Sequence, residues 1–468
     1  MSRWVMEEEN VGLLGRIQSI VERPIREKFR SAVPTHGGDR LLLTILGKTL
    51  SQPALAARTY GEGEIFLIKG GLFLSGVRLD PSAYEGVGTE WKEDLGQRHY
   101  DPDARTPRDR PLPHALNLPH GFYMPIYVDP TSPFVLRREG GTLYLYVDEL
   151  RLFPVEYEAR PAFYSKVTSA GVPMPHVGSH RLQRQLLVEY NAYCHFFAQK
   201  KACIFCGIVA ERSLLPARYN SYFGASPAEV AEVVEAAYAE GVCTEMQVTG
   251  GVLPNRAEMP YFLEVGRAVK ERLGVDVIPG SQAVLAPPSS PREIEELKEA
   301  GWQGVAFNVE IWDERLWPGM VPGKAALMPR ERWLEALEFA VQVFGRGEVA
   351  SVIVAGLEPK RSFLAGVEWL AQRGIYGVPI PWAPVPGSEL EGHQTPTAAW
   401  HLEVVVKALD IWERYLLDAQ RHSSGGLHYA DLARMRQSLA RDRERHTGRD
   451  WSKDLRHVLA VEGKLPEV

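Results

Sequence analysis

Apolar and polar positions follow two rhythms along this chain, and the change comes near residue 180. Before it stand isolated apolar runs: RLLLTIL, then GEIFLIKGGLFLSGV, then REGGTLYLYVDELRLFPV. Gly-Gly pairs lie within or just before the last two runs, and glycine supplies the positive φ of tight hairpin turns. Residues 1–180 are therefore expected to form a β-rich domain with a short leading helix, and its role is not legible. The polar, Pro-rich stretch from Thr89 to Pro119 reads as a long loop.

After residue 180 short runs rich in Val and Ile alternate with helical patterns about six times. The expected strands are 186–191, 244–250, 275–281, 304–311, 350–358 and 376–385, with the apolar character of parallel strands covered on both faces. The helices between them carry end signals. Ser226-Pro227-Ala228-Glu229 spells a capping box with proline at the first helical position, and Gly241 closes that helix. A second helix starts at Pro291 and stops at Gly301; a third ends at Gly374. Right-handed βα units in series predict an α/β chain with a partial (β/α)6 TIM-like barrel over 181–394. Functional groups should then gather at the C-terminal ends of its strands. From 395 to 468 the pattern is helical, with AAWHLEVVVKALDIWERYLLDA amphipathic and expected to pack on the barrel.

Composition narrows the class without choosing within it. Of 468 residues, 45% are hydrophobic and 24% charged, as in globular proteins, and a net charge of −6 gives no footprint of nucleic-acid binding. No apolar run is long enough to cross a bilayer and the start carries no secretory pattern, so the expectation is a cytoplasmic protein without membrane or nucleic-acid partners. Four cysteines are too few for a disulfide framework. Three of them, Cys194, Cys203 and Cys206, share one segment directly after the first barrel strand. Thiolates in a compact loop bind soft metals. A closed zinc site needs four ligands, with His195 an awkward fourth. A redox C-x-x-C leaves Cys194 unexplained. A [4Fe–4S] cluster on three thiolates leaves one iron open. The spacing leaves these readings side by side.

The segment resembles the radical S-adenosylmethionine (SAM) superfamily, whose motif is C-x3-C-x2-C with an aromatic before the last cysteine. Phe205 is that aromatic. The first gap here is eight residues rather than three. Thr249-Gly250-Gly251 is similar to the element that meets the SAM methionine amine, although the family often has Glu where this chain has Val252. Asn308 and Glu310, at the fourth strand, match residues that contact SAM. Gly356 and Glu358, at the fifth, match the adenine side. Lys324, in a loop Pro322-Gly323-Lys324, is a partner for a carboxylate of SAM or substrate, or else a solvated turn lysine. Asn308 and Glu310 are expected on the same side of a strand. Arg330 and Arg332 read as helix-surface residues, Cys243 as a small buried residue, and His393 as a surface histidine. His176 and His180 lie close together without further ligands.

The resemblance covers about residues 185–390. It implies a [4Fe–4S] cluster on Cys194, Cys203 and Cys206, SAM as co-substrate, and reductive cleavage of SAM to a 5′-deoxyadenosyl radical. That radical takes hydrogen from a small-molecule biosynthetic substrate, with flavodoxin or ferredoxin as electron donor. The barrel is similar to that of biotin synthase and the hydrogenase-cofactor maturases. Two other classes stand beside this one: a methyl- or aminocarboxypropyl-transferase on the same fold and cluster, and a non-enzymatic zinc or scaffold protein.

Overall fold

The computed structural model describes residues 62–87, 98–99, 113–128, 132–147, 149–181, 184–191, 193–208, 224–382, 388–391, 393, 395–396 and 398–416. The expected leading helix before residue 62, RLLLTIL and the charged C-terminal tail lie outside the described residues.

Among the described residues before 180, short strands form a four-stranded and a three-stranded sheet, with one further pair. The hairpin expected at REGGTLYLYV is present. Phe134–Glu139 pairs antiparallel with Thr142–Val147, and Gly140 and Gly141 turn between them at φ 56° and 84°. The other glycine pair behaves differently: Gly70 and Gly71 lie inside a helix, Glu62–Ser75, not in a hairpin. Ile65, Ile68 and Leu72 recur at helical spacing and are all buried. That stripe outweighs the roughly 1 kcal/mol each interior glycine costs a helix. The expected loop at Thr89–Pro119 is also corrected at its end, because Ala115–Leu118 is the central strand of the three-stranded sheet.

The second half is a curled, open sheet of six parallel strands in sequential order. These are β1 (Gln185–Glu189), β2 (Glu245–Thr249), β3 (Ser281–Val284), β4 (Gly304–Ala306), β5 (Val349–Ala355) and β6 (Ile375–Pro381). Ser179–Arg181 adds an antiparallel edge to β1. Helices alternate with the strands: α1 (Pro227–Glu240), α2 (Glu258–Leu273), α3 (Pro291–Glu299), α4 (Arg330–Phe344), α5 (Lys360–Gln372) and α6 (Ala398–Tyr415). The capping box read at Ser226 is present, and a second one, not read from the sequence, caps α3. Ser226 with Glu229 and Ser290 with Glu293 each form a reciprocal box, and Gly241 ends α1 at φ 79°. Trp302, Trp333, Phe262, Phe307 and Phe363 fill the core between sheet and helices. The C-terminal helix α6 packs on α5, on β6 and on the N-terminal helix Glu62–Ser75.

Two strand expectations shift. The third strand begins at Ser281, not Val275. Gly274 ends α2 at φ 65°, and the chain turns again at Gly280, where a side chain would stand 2.6 Å from the Thr244 carbonyl. The fourth strand stops at Ala306, and Glu310 adopts φ 69°. Strand alternation therefore does not govern Asn308 and Glu310.

Candidate active site

The cysteine loop leaves the C-terminal end of β1 and rests on the end of β2. His195 N–H donates to the Val252 carbonyl (2.7 Å). A side chain on Gly251 would lie 2.1 Å from the Tyr193 carbonyl oxygen and 2.6 Å from Cys194 Cβ, so only glycine permits this approach. Gly250 is as tightly covered, with the Tyr190 ring 2.5 Å from where its Cβ would be. Thr249 pairs with Glu189 in the ladder, and its carbonyl accepts from Tyr190 N–H (3.0 Å).

The eight-residue gap has a physical form. His195–Ala198 makes one short helical turn, and the chain reverses at Lys200 with φ 56°. Phe196, on the buried side, packs where Gly323 has no side chain; a Cβ there would fall 2.3 Å from the Phe196 ring. Ile204 N–H donates to the Met320 carbonyl (3.1 Å), and the Ile204 carbonyl accepts from Leu390 N–H (3.3 Å). The loop is thereby tied to the segments after β4 and after β6. Phe205 packs against the core.

None of Cys194, Cys203 and Cys206 forms a disulfide among the described residues, and all three are partly buried. Burial pushes the Cys194 thiol up, against the pull of the Phe196 and Val252 N–H groups and the Lys324 ammonium. Burial also raises Cys203, again opposed by Lys324. These thiols stay protonated until a metal displaces the proton, because metal ligation takes the thiolate. Three thiols in one loop, with the fourth cysteine at the other end of the sheet, suit a cluster with one open iron. They suit zinc poorly: His195 spends Nε2 on Gln199 (2.8 Å) and Nδ1 on the Tyr193 hydroxyl (3.4 Å). Among the described residues no three His, Cys, Asp or Glu side chains converge on a single-ion site. Cys243 is fully buried before β2, at the opposite end of the sheet from this loop.

At the ends of β4 and β5 the residues expected to contact SAM hold partners within the protein. Lys324 lies in a helix, Pro322–Leu327, rather than in a loop. Its Nζ donates to the Asn308 carbonyl (2.6 Å) and the Glu310 carboxylate (2.8 Å), over the Trp333 ring. Burial alone would lower its pKa, but Glu310 and the neighbouring cysteines leave it raised. The Asn308 side-chain oxygen accepts from Val352 N–H (3.1 Å). Glu358, buried, accepts from the N–H groups of Trp312 (2.7 Å) and Asp313 (2.8 Å), and burial raises its pKa. Gly356, at φ 109°, faces Pro396 and the buried His401. Arg330 is not a free surface residue: it donates to the Trp312 carbonyl and lies over that ring, 4.6 Å from its centroid. Arg332 is exposed, as expected.

Sequence reasoning missed Tyr190, Asn191, Arg256 and Glu258. Arg256 and Asn255 both hold positive φ (59° and 54°) in the turn after β2. Arg256 fixes that turn by donating to the Ala286 and Pro287 carbonyls, and Glu258 holds Arg256 (2.6 Å) and Leu253 N–H (3.1 Å). The available signal for Asn191 was an amide side chain placed just between strand and cysteine.

No family model matches the chain. It is similar to the bacteriochlorophyllide c C-7(1)-hydroxylase of Chlorobaculum limnaeum, 31% identical over 239 residues, which are 49% of this chain and 60% of that protein. The chain thus spans less than two thirds of that relative. Among solved structures, methylornithine synthase PylB overlays at TM-score 0.37 with 18% identity, over 65% of this chain and 92% of that one. The hydrogenase maturase HydG overlays at 0.36 with 15% identity, over 51% of each chain. Streptococcus suis SuiB overlays at 0.34 with 12% identity, over 52% and 48%. Over those 239 residues the chain is similar to that hydroxylase, and the cysteine loop seated on the Gly-Gly turn of a six-stranded partial barrel is the feature that resembles the radical SAM superfamily.

Proposed function

We propose that the chain is an enzyme that holds a [4Fe–4S] cluster on Cys194, Cys203 and Cys206 and uses SAM to remove hydrogen from a C–H bond of a small molecule. The observation that carries this reading is the seating of Cys194 against Gly251, which joins the thiol loop to the strand end where the resemblance puts the SAM amino acid. The chemistry supplied when cluster and SAM are bound is one-electron cleavage of the sulfonium to methionine and a 5′-deoxyadenosyl radical. The chain's own residues hold three thiols on a tied loop, neutralise Glu310 with Lys324 beside them, and pack Phe196 and Phe205 against the rest of the barrel. Residues before 180 are proposed as a separate substrate-binding or covering domain.

The name of the hydroxylase relative makes a substituted tetrapyrrole the first candidate substrate. The electron source is proposed to be a flavodoxin or ferredoxin. The cytoplasm, where thiols stay reduced, is the proposed compartment. Anaerobic reconstitution with iron and sulfide should give a broad visible absorption. Addition of SAM and dithionite should then yield 5′-deoxyadenosine, in proportion to turnover when the substrate is present. Failure to take up iron and sulfide would sink the reading; S-adenosylhomocysteine as the product would move it to group transfer.

A further inference from the structure

We propose that Asn191 is a positioning residue that sets the separation between the cluster loop and the SAM-binding end of β2. Asn191 lies two residues beyond β1. Its Oδ1 accepts from the N–H groups of Tyr193 (3.1 Å) and Gly251 (3.1 Å), and its Nδ2 donates to the Gly251 carbonyl (3.2 Å). The Tyr190 hydroxyl donates to that same carbonyl (2.6 Å). The bond to Tyr193 is an ordinary turn in which an Asn side chain caps its own backbone two residues on. The pair of bonds to Gly251 is not local, since it spans sixty residues and crosses from the end of β1 to the turn after β2.

These bonds change what Gly251 contributes. A carbonyl oxygen has two lone pairs, and both are taken by Tyr190 and Asn191; the N–H is taken as well. Gly251 therefore serves by close approach rather than by offering its own peptide to a ligand. The amine contact that the resemblance gives to the glycine pair is left to groups beside it. One amide side chain thus locks the backbone entering Cys194 to the backbone leaving β2. The inference rests on the proposed function, in which SAM meets both the open iron above the cysteines and the end of β2. A misplacement of about 1 Å between two such anchors costs on the order of a hundredfold in rate.

The test compares full-length wild type, Asn191→Ala and Asn191→Asp after anaerobic reconstitution. Iron content, thermal unfolding, the SAM dissociation constant and the change in the electron paramagnetic resonance (EPR) spectrum of the reduced cluster on adding SAM are measured. Asn191→Ala is expected to keep its iron yet bind SAM about tenfold or more weakly, with the SAM-induced spectral change diminished. Asn191→Asp, which keeps both acceptor bonds and loses the donor, should fall between. Wild-type SAM affinity and spectrum in either variant would overturn the assignment, as would equal loss of iron and fold in both, which marks a merely structural residue. A wild type that takes up no cluster or no SAM overturns the functional reading itself, and shows this before any variant is compared.

Discussion

The ends of β1 and β2 and the ends of β4 and β5 are built from similar polar residues put to opposite uses. At β1 and β2 the side chains Asn191 and Tyr190 satisfy backbone groups and bring glycine backbone against a thiol. At β4 and β5 the charged groups satisfy one another or nearby peptides: Lys324 with Glu310, Glu358 with two N–H groups. Buried charge is tolerated only when paired, so the second region reads as a closed wall. The first region presents thiols whose ionised form burial disfavours, and such groups wait for a metal. The two strand-end regions therefore differ in what their polar atoms hold: backbone at β1 and β2, ion-pair and peptide partners at β4 and β5.

The sharpest contrast is chemical. Cys194→Ala, Cys203→Ala and Cys206→Ala should each abolish SAM cleavage and uptake of a complete cluster, read as 5′-deoxyadenosine and iron per chain. Cys243→Ala, at the far end of β2, should leave both intact. Loss of cleavage in a folded Cys243→Ala protein would show that the ligand set is wrongly chosen.

The wall should fail through stability first. Lys324→Met strands the Glu310 carboxylate, whose side chain is only 14% exposed, and should cost about 3–5 kcal/mol in denaturant unfolding. Adding Glu310→Gln removes the orphaned charge and should restore much of the loss. If the single variant unfolds at the wild-type midpoint, the pair is not structural and both groups return as candidates for SAM.

Gly251→Ala comes next. Its methyl would overlap the Tyr193 carbonyl and Cys194, and backbone yields poorly, so about 1–3 kcal/mol of stability should go together with cluster occupancy. Gly319→Ala meets nothing within 4 Å and is the matched control, expected to be neutral or slightly stabilising. Equal behaviour of the two glycine variants would remove the close-approach argument.

What the sequence made legible follows the same division. Strand–helix alternation, the Ser226 box and the cysteine loop were readable because each is a local signal of a few residues. Gly70-Gly71 was misread as a turn because its neighbours Ile65, Ile68 and Leu72 are buried by elements distant in sequence. The intramolecular partners of Lys324 and Glu358 were not readable either. They sit 14 and 46 residues away, and nothing in a spacing tells whether a charge is already paired. Asn191 stood in a suggestive place between strand and cysteine, but its role was hidden for the same reason, its decisive partner being Gly251.

The smallest expected effect tests how tightly the wall is sealed at β5. His401, on α6, is 1% exposed, faces Gly356 and shares a hydrogen with the Thr395 hydroxyl (3.1 Å). Burial lowers its pKa to about 3, so the folded protein keeps it neutral. The unfolded chain, near 6.5, binds a proton that the folded chain refuses as pH falls. Its contribution is therefore complete above about pH 6.5 and is lost progressively toward pH 3, amounting to about 2 kcal/mol by pH 5. His176, lowered to about 4 by burial, adds in the same direction, so the comparison must be made between variants. Urea midpoints at pH 7 and pH 5 should fall further apart for wild type than for His401→Gln. An identical pH slope in the two proteins would mean that protonated His401 reaches water in the native state, and that α6 leaves the end of β5 open rather than sealed.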